Sequence, residues 1–333
     1  AMKGGTITAI TFYAMTVGGN NSTFGTANQK VFLKEVSGTT LSSFSGITTD
    51  AVVVYDGLLP MPTTSASGYT ITFSKGYTYN GGNLLIGVYN VDKGSYNDVK
   101  WYGNNNQSKG VSAYGYSANR LADVGLTKQT FLPKTTFTYA TPIDLGLPSG
   151  TKWADMNVGA GSETGIGTYF EWGETTAYDN NNSYSGNNST TLPLSNDAAY
   201  ANWGSNWRMP TKAEYDELLN ETYTTWTWNN DYNNTGVGGY LVTSKTNGNS
   251  IFLPKTGYMR DGSLNAPARC DYWSSTINGS NNNEAYALGV GSGDRGTWNF
   301  SRSFGFPVRP VQMFVGEGTE ASPYLIASTT DWN

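Results

Sequence analysis

The 333-residue sequence contains no histidine and a single cysteine, Cys270. Without histidine there is no Ser-His-Asp triad, no Cys-His dyad and no His-ligated zinc or iron. One cysteine cannot close an internal disulfide, complete a Cys-rich zinc site or form a dithiol redox pair. Charge is scarce as well: 20 basic residues stand against 25 acidic ones, a formal net charge of −5. No basic run stands out, which argues against a nucleic-acid partner. No stretch of about 18 apolar residues occurs, so no membrane-inserted segment is expected in this chain. The opening AMKGGTITAI lacks the charged-then-apolar build of an export signal, and the expectation is a chain whose signal has been removed. Carboxylate chemistry and calcium binding are what these absences leave open.

What is present points to strands. There are 41 glycines, 14% of residues are aromatic, and Asn, Ser and Thr are abundant, a mixture that suits many short strands joined by polar loops. The reading is a mainly β, extracellular protein. At about 150 residues per domain the length predicts two domains. Residues 1–140 read as seven strands with turn punctuation: TITAITFYAM, QKVFLKEV, DAVVVYDG, YTITFSKG, NLLIGVYN, DVKWYG and PKTTFTYA. That spacing predicts a β-sandwich of jelly-roll type. In the first strand, alternation puts Ile7, Ala9 and Thr11 on one face and Ile10 and Phe12 on the other.

The boundary falls near YATPIDLGLPSG, where Pro142 and Pro148 bracket an extended link. Eight of the ten tryptophans lie between Trp153 and Trp298, so the texture changes with the domain. DNNNSYSGNNSTT, from Asp179, is too polar to bury and reads as a loop. WRMPTKAEYDELLN carries Thr211 with Glu214 three residues on, a capping box that predicts a helix from Lys212 to about Leu219, with Ala213 and Leu218 or Leu219 inward. GYLVTSK and NSIFLPKTGY flank the turn TNGN as a hairpin. DYWSST, EAYALGVGS and FPVRPVQMF read as further strands.

The motifs DLGLPSGTKWADMNVGA, YFEWGETT, AYANWGSNWRMPTKAEYDELL, GNSIFLPKTGY, DYWSST and GFPVRPV occur in that order. Together they resemble the major paralogous domain of surface proteins of gut bacteria, over residues of about 143–312. The first half resembles, loosely, sandwich modules that accompany adhesin-type domains. WRMPTKAEYDELL is also similar to the helix of formylglycine-generating enzymes, which share a C-type-lectin-like fold with the variable proteins of diversity-generating retroelements. The resemblance implies an α+β C-type-lectin-like domain over 141–312. The enzyme activity needs paired cysteines, which Cys270 alone does not supply. In the variable proteins the C-terminal part presents ligand-contacting side chains, at positions where adenine-directed mutation turns Asn codons into those of Ser, Gly, Asp, Thr, Arg, Tyr or Phe.

The resemblance therefore implies a binding face at Asp271, Gly289, Gly291, Asp294, Arg295, Gly296, Thr297, Trp298, Asn299, Ser301 and Ser303. The stretch SGDRGTWNFS reads as a loose polar loop projecting from a last buried strand at Val308, Pro310 and Val311, with Arg309 fixed by an acidic or backbone partner. Trp298, Phe300 and Phe304 are candidate anchors, with core packing as the competing reading. Trp153, Trp172, Trp203, Trp207 and Trp273 sit in fixed-looking motifs and read as core. Glu171 and Glu174 form a candidate carboxylate pair for glycoside hydrolysis, with loop hydrogen bonding favoured. No D-x-[DN]-x-[DN]-G calcium loop appears. The tail 313–333 resembles the start of a repeat module in large surface proteins.

The expectation is a non-enzymatic surface protein binding a protein or glycan on a cell, phage or host surface, with no cofactor and no metal. Two alternatives stand beside it. In one the sandwich is a carbohydrate-binding module stacking sugars on Tyr77, Tyr79 or Trp101; in the other the chain is a purely structural spacer.

Overall fold

The computed structural model describes residues 2–17, 25–62, 68–91, 99–115, 126–180 and 192–313. The polar segment expected as a loop from Asp179 lies mostly outside them, and so does the tail beyond Met313. The chain is mainly β, 46% strand against 7% helix. It divides into two compact units, Ala1–Tyr139 and Ala140 onward.

Among the described residues of the first unit, β-branched and aromatic alternation gives two main sheets beside two small two-stranded ladders. Thr6–Val17 lies between Thr135–Ala140 and Gly68–Thr78, with Val99–Trp101 paired to its far end. Gln29–Val36 lies between Val52–Gly57 and Asn83–Asn90. Ile10, Ile71 and Phe73 of one sheet share a core with Val31, Leu33 and Val54 of the other. The simple alternation expected of the first strand fails at one place. Ile7 and Ile10 are both fully buried, because the register against Gly68–Thr78 slips between Ile7 and Ala9. The bulge re-aims the strand, so both isoleucines reach the same core.

The second unit holds four small sheets among its described residues. Trp153, Trp172, Trp203, Trp207 and Trp273 are all buried, as their motifs predicted. The helix Lys212–Leu219 forms behind its capping box, with Thr211 Oγ1 accepting from the Glu214 amide and Glu214 from the Thr211 amide. Its inward residues are Glu214, Tyr215 and Leu218, whereas Ala213 is exposed. The reason is Glu214, whose carboxylate also takes a two-pronged bond from Arg208 and the hydroxyl of Thr151. That network holds position 214 inward and rotates Ala213 to solvent. Burial alone would raise the Glu214 carboxyl, but the Arg208 fork and the Thr211 and Thr151 bonds outweigh it and hold it below the usual glutamate range.

The last buried segment is mostly not strand. Only Gly305–Phe306 and Val311–Gln312 are paired, yet Val308, Arg309 and Val311 have no exposed surface. Arg309 is fixed by neutral partners: Nε donates to Asn157 Oδ1 at 2.7 Å, Nη1 to Ala154 O at 3.0 Å and Nη2 to Phe252 O at 2.8 Å. The Trp273 and Val158 amides donate to Pro307 O and Val308 O. This segment ties three parts of the unit together behind the sheet that carries the expected face.

Candidate functional site

SGDRGTWNFS is not a loose loop. Arg295–Ser301 is a strand, paired along its whole length with Glu284–Val290, which pairs in turn with Cys270–Ile277. The pattern that makes it one is a period of two: Gly296, Trp298 and Phe300 alternate with Arg295, Thr297, Asn299 and Ser301. Residues directly opposite in an antiparallel ladder share a face. The expected binding residues therefore fall on two sides of the sheet.

On one side, Arg295, Thr297, Asn299 and Ser301 line up with Val290, Leu288, Tyr286 and Glu284. Here the strand abuts the helix Lys212–Leu219. Thr297 Oγ1 donates to Asp216 Oδ1 at 2.8 Å, and Lys212 both pairs with Asp216 and lies 5.4 Å from the Tyr286 ring centre. Arg295 donates to Glu221 at 2.7 Å and covers the Trp226 ring at 5.3 Å. Asn299 donates to Glu284, and the hydroxyls of Ser301 and Ser303 are 2.9 Å apart. All of these strand side chains are half-buried or exposed. The surface is polar, held by side-chain hydrogen bonds, and continuous across two elements.

Its aromatic end was not legible as a site. In Thr224–Asn229, Trp226 and Trp228 point the same way at a spacing of two, and Tyr240 lies opposite Trp228. Tyr240 stands edge-on to both indoles, at 5.9 and 5.1 Å, and its hydroxyl donates to Gly291 O at 3.0 Å. Trp228 keeps 39% of its surface exposed, with Nε1 held by Asn230. The signal was the W-x-W spacing in TTWTWNN, which places both rings on one face of a strand.

On the other side lies a small ion network. Asp271, with no exposed surface, accepts from Arg269 Nε at 3.2 Å, and Arg269 Nη1 reaches both oxygens of Asp294 at 2.9 and 3.0 Å. The guanidinium sits 5.8 Å from the centre of the Trp298 ring. Glycines make room for it. A Cβ at Gly289 would lie 2.8 Å from Arg269 Nη2 and 3.0 Å from the Trp298 indole; one at Gly291 would lie 2.5 Å from Asp294 Oδ1. A Cβ at Gly296 would come within 3.1 Å of the same indole. Asp271, Gly289 and Gly291 are thus buried supports and not surface positions, a correction to the expected face. Burial on the inner side of the sheet is the physical reason, and Arg269, just before the strand Cys270–Ile277, is the member the sequence reading missed.

The candidate anchors separate too. Phe300 and Phe304 pack with Tyr258 and Phe306 against the core, whereas Trp298 stays half-buried at the rim. Glu171 is buried and Glu174 half-buried, at a turn closed by the Glu174 amide donating to Glu171 O. Cys270 donates to Leu253 O, and burial pushes its thiol up to about 12, far from thiolate chemistry at neutral pH. Among the described residues no cluster of three or more Cys, Asp or Glu is placed to hold a metal ion. No helix among them is long and apolar enough to cross a membrane.

Asp271 Oδ2 has no partner, and burial pushes the carboxyl up to about 6 against the pull of Arg269. Protonation is therefore easier in the folded chain than in the unfolded one. The stability this adds is fully present below about pH 4 and is lost as pH rises through about 6, at most about 3 kcal/mol. Urea unfolding of Asp271→Asn between pH 4 and 7 is expected to show a flatter profile than the parent over that window. Parallel profiles would mean that Asp271 is not the titrating group.

No family model matches the chain, no curated protein matches it, and no solved structure matches it.

Proposed function

We propose that this chain is a non-enzymatic, ligand-binding protein of a bacterial cell surface. In this reading a jelly-roll-like sandwich over 1–140 accompanies a C-type-lectin-like domain over 141–312, and the ligand is a protein or glycan on another cell, phage or host surface. One observation carries the proposal. The strand Arg295–Ser301 presents half-exposed and exposed polar side chains beside the helix Lys212–Leu219, at the edge of a three-stranded sheet whose inner strands carry the buried Tyr272 and Leu288 on the same face. A packed sheet behind a changeable edge strand lowers the ordering cost of binding and leaves the outer positions free to vary.

The residue types agree with that use. Arg295, Trp226, Trp228, Tyr240 and Tyr286 are the kinds that dominate recognition hot spots, and Thr297, Asn299, Ser301 and Ser303 supply adaptable hydrogen bonds. Retroelement-type diversification, if this gene undergoes it, belongs at Asp294, Thr297, Asn299, Ser301 and Ser303. The buried glycines are excluded from it because each holds space for Arg269.

Labelled full-length protein titrated onto whole cells and onto a glycan panel tests the reading. Saturable binding is expected, with Trp228→Ala and Arg295→Ala each weakening it about tenfold or more while thermal melting stays near that of the parent. Absence of saturable binding on any surface would leave the spacer reading. Undiminished binding by both variants would move the site off this face.

A further inference from the structure

We propose that the first unit carries a second, separate ligand site: a cavity between its two sheets that takes a small, neutral, ring-bearing molecule with one hydrogen-bond acceptor. The cavity has a volume of about 350 Å³ and receives walls from both sheets. Phe12, Tyr69 and Trp101 come from one sheet, Val88 and Asn90 from the other, and Phe131 from the segment before Leu132–Pro133. That size is at the lower end of the range small-molecule sites occupy, enough for a one- or two-ring compound.

The lining decides the ligand class. No Lys, Arg, Asp or Glu is on the wall, so a charged ligand would be desolvated without compensation. Trp101 meets Phe12 at 5.8 Å and Tyr69 at 5.9 Å in inclined, not parallel, pairs, a wall suited to the face or edge of another ring. Two amide side chains, Gln29 and Asn90, stand among apolar and aromatic lining residues. Gln29 Oε1 already accepts from the Leu59 amide at 2.9 Å, so what remains to be given is its NH₂ donor pair. A ligand with one carbonyl or ether oxygen matches that.

The same lining argues against a sugar here, whose several hydroxyls need as many partners. Tyr77 is buried, and Tyr79 is half-buried with its hydroxyl donating to Gly82 O. An apolar surface of this extent left to water is unfavourable, which is what an apolar occupant relieves.

The test is calorimetric titration of the full chain with acetylnaphthalene, naphthalene and glucose. Saturable binding of acetylnaphthalene is expected, with naphthalene weaker and glucose silent. Val88→Trp fills the cavity from a position that is 51% exposed and so spares the fold, and it is expected to weaken binding about tenfold. Asn90→Leu, also at an exposed position, removes the second amide donor of the wall and should narrow the gap between the two naphthalenes. Binding of neither naphthalene up to its solubility limit would overturn the proposal. So would binding that both variants leave unchanged, or binding of glucose alone.

Discussion

Arg309→Met is expected to destabilise the second unit by about 3–5 kcal/mol. The side chain has no exposed surface, and its guanidinium joins Asn157 Oδ1 and Ala154 O of one segment to Phe252 O of another, both distant from Arg309 in the chain. Methionine fills comparable volume but offers no donor. Three buried acceptors then lose their partner together, and each such loss costs more than the bond itself contributed. Lysine does not rescue the site, because a compact ammonium cannot span three acceptors arranged for a planar fork. Urea unfolding followed by tryptophan fluorescence measures the effect, and a loss below about 1 kcal/mol would mean that the buried segment 305–312 is held by packing alone.

The second large effect lies under the face. Gly289→Val is expected to cost about 2–4 kcal/mol, because the new side chain displaces Arg269 and presses on the Trp298 indole. Displacement of Arg269 leaves Asp271 buried without its one partner, which adds to the steric cost. Ten residues on, in the neighbouring strand, Asn299→Thr is expected to change stability by no more than about 0.5 kcal/mol. The contrast between two members of one expected site separates support from surface. Equal tolerance at both positions would contradict the layered arrangement.

Much of this architecture was legible. The alternating run YTITFSKG marked a strand, because the pleat sends successive side chains to opposite faces. Thr211 and Glu214 marked the helix start, since their mutual hydrogen bonds need only local geometry. The misreadings share a cause, in that each depended on something distant in the chain. The bulge between Ile7 and Ala9 exists only against its partner strand. Ala213 lost the inward position to Glu214 because Arg208 and Thr151 wait there for a carboxylate.

The face itself was half legible. Glycine-rich polar composition made 289–303 look like a loop, and the alternation of Trp298 and Phe300 with Thr297 and Asn299 was masked by the two glycines at 293 and 296. Those at 289 and 291 looked like variable surface positions, and only the course of Arg269 across the sheet shows why they are small. Trp226 and Trp228 carried a readable spacing, but nothing local places them beside Arg295.

The claim of a changeable face on a fixed support is tested most directly by sequencing the coding region for residues 265–312 across many natural isolates that carry this gene. The account predicts substitutions gathered at Asp294, Thr297, Asn299, Ser301 and Ser303, falling at adenines of the codons, with Arg269, Asp271, Gly289, Gly291 and Arg309 unchanged. Substitutions spread evenly along the region, or as frequent at those five supporting positions as at the exposed ones, would contradict it.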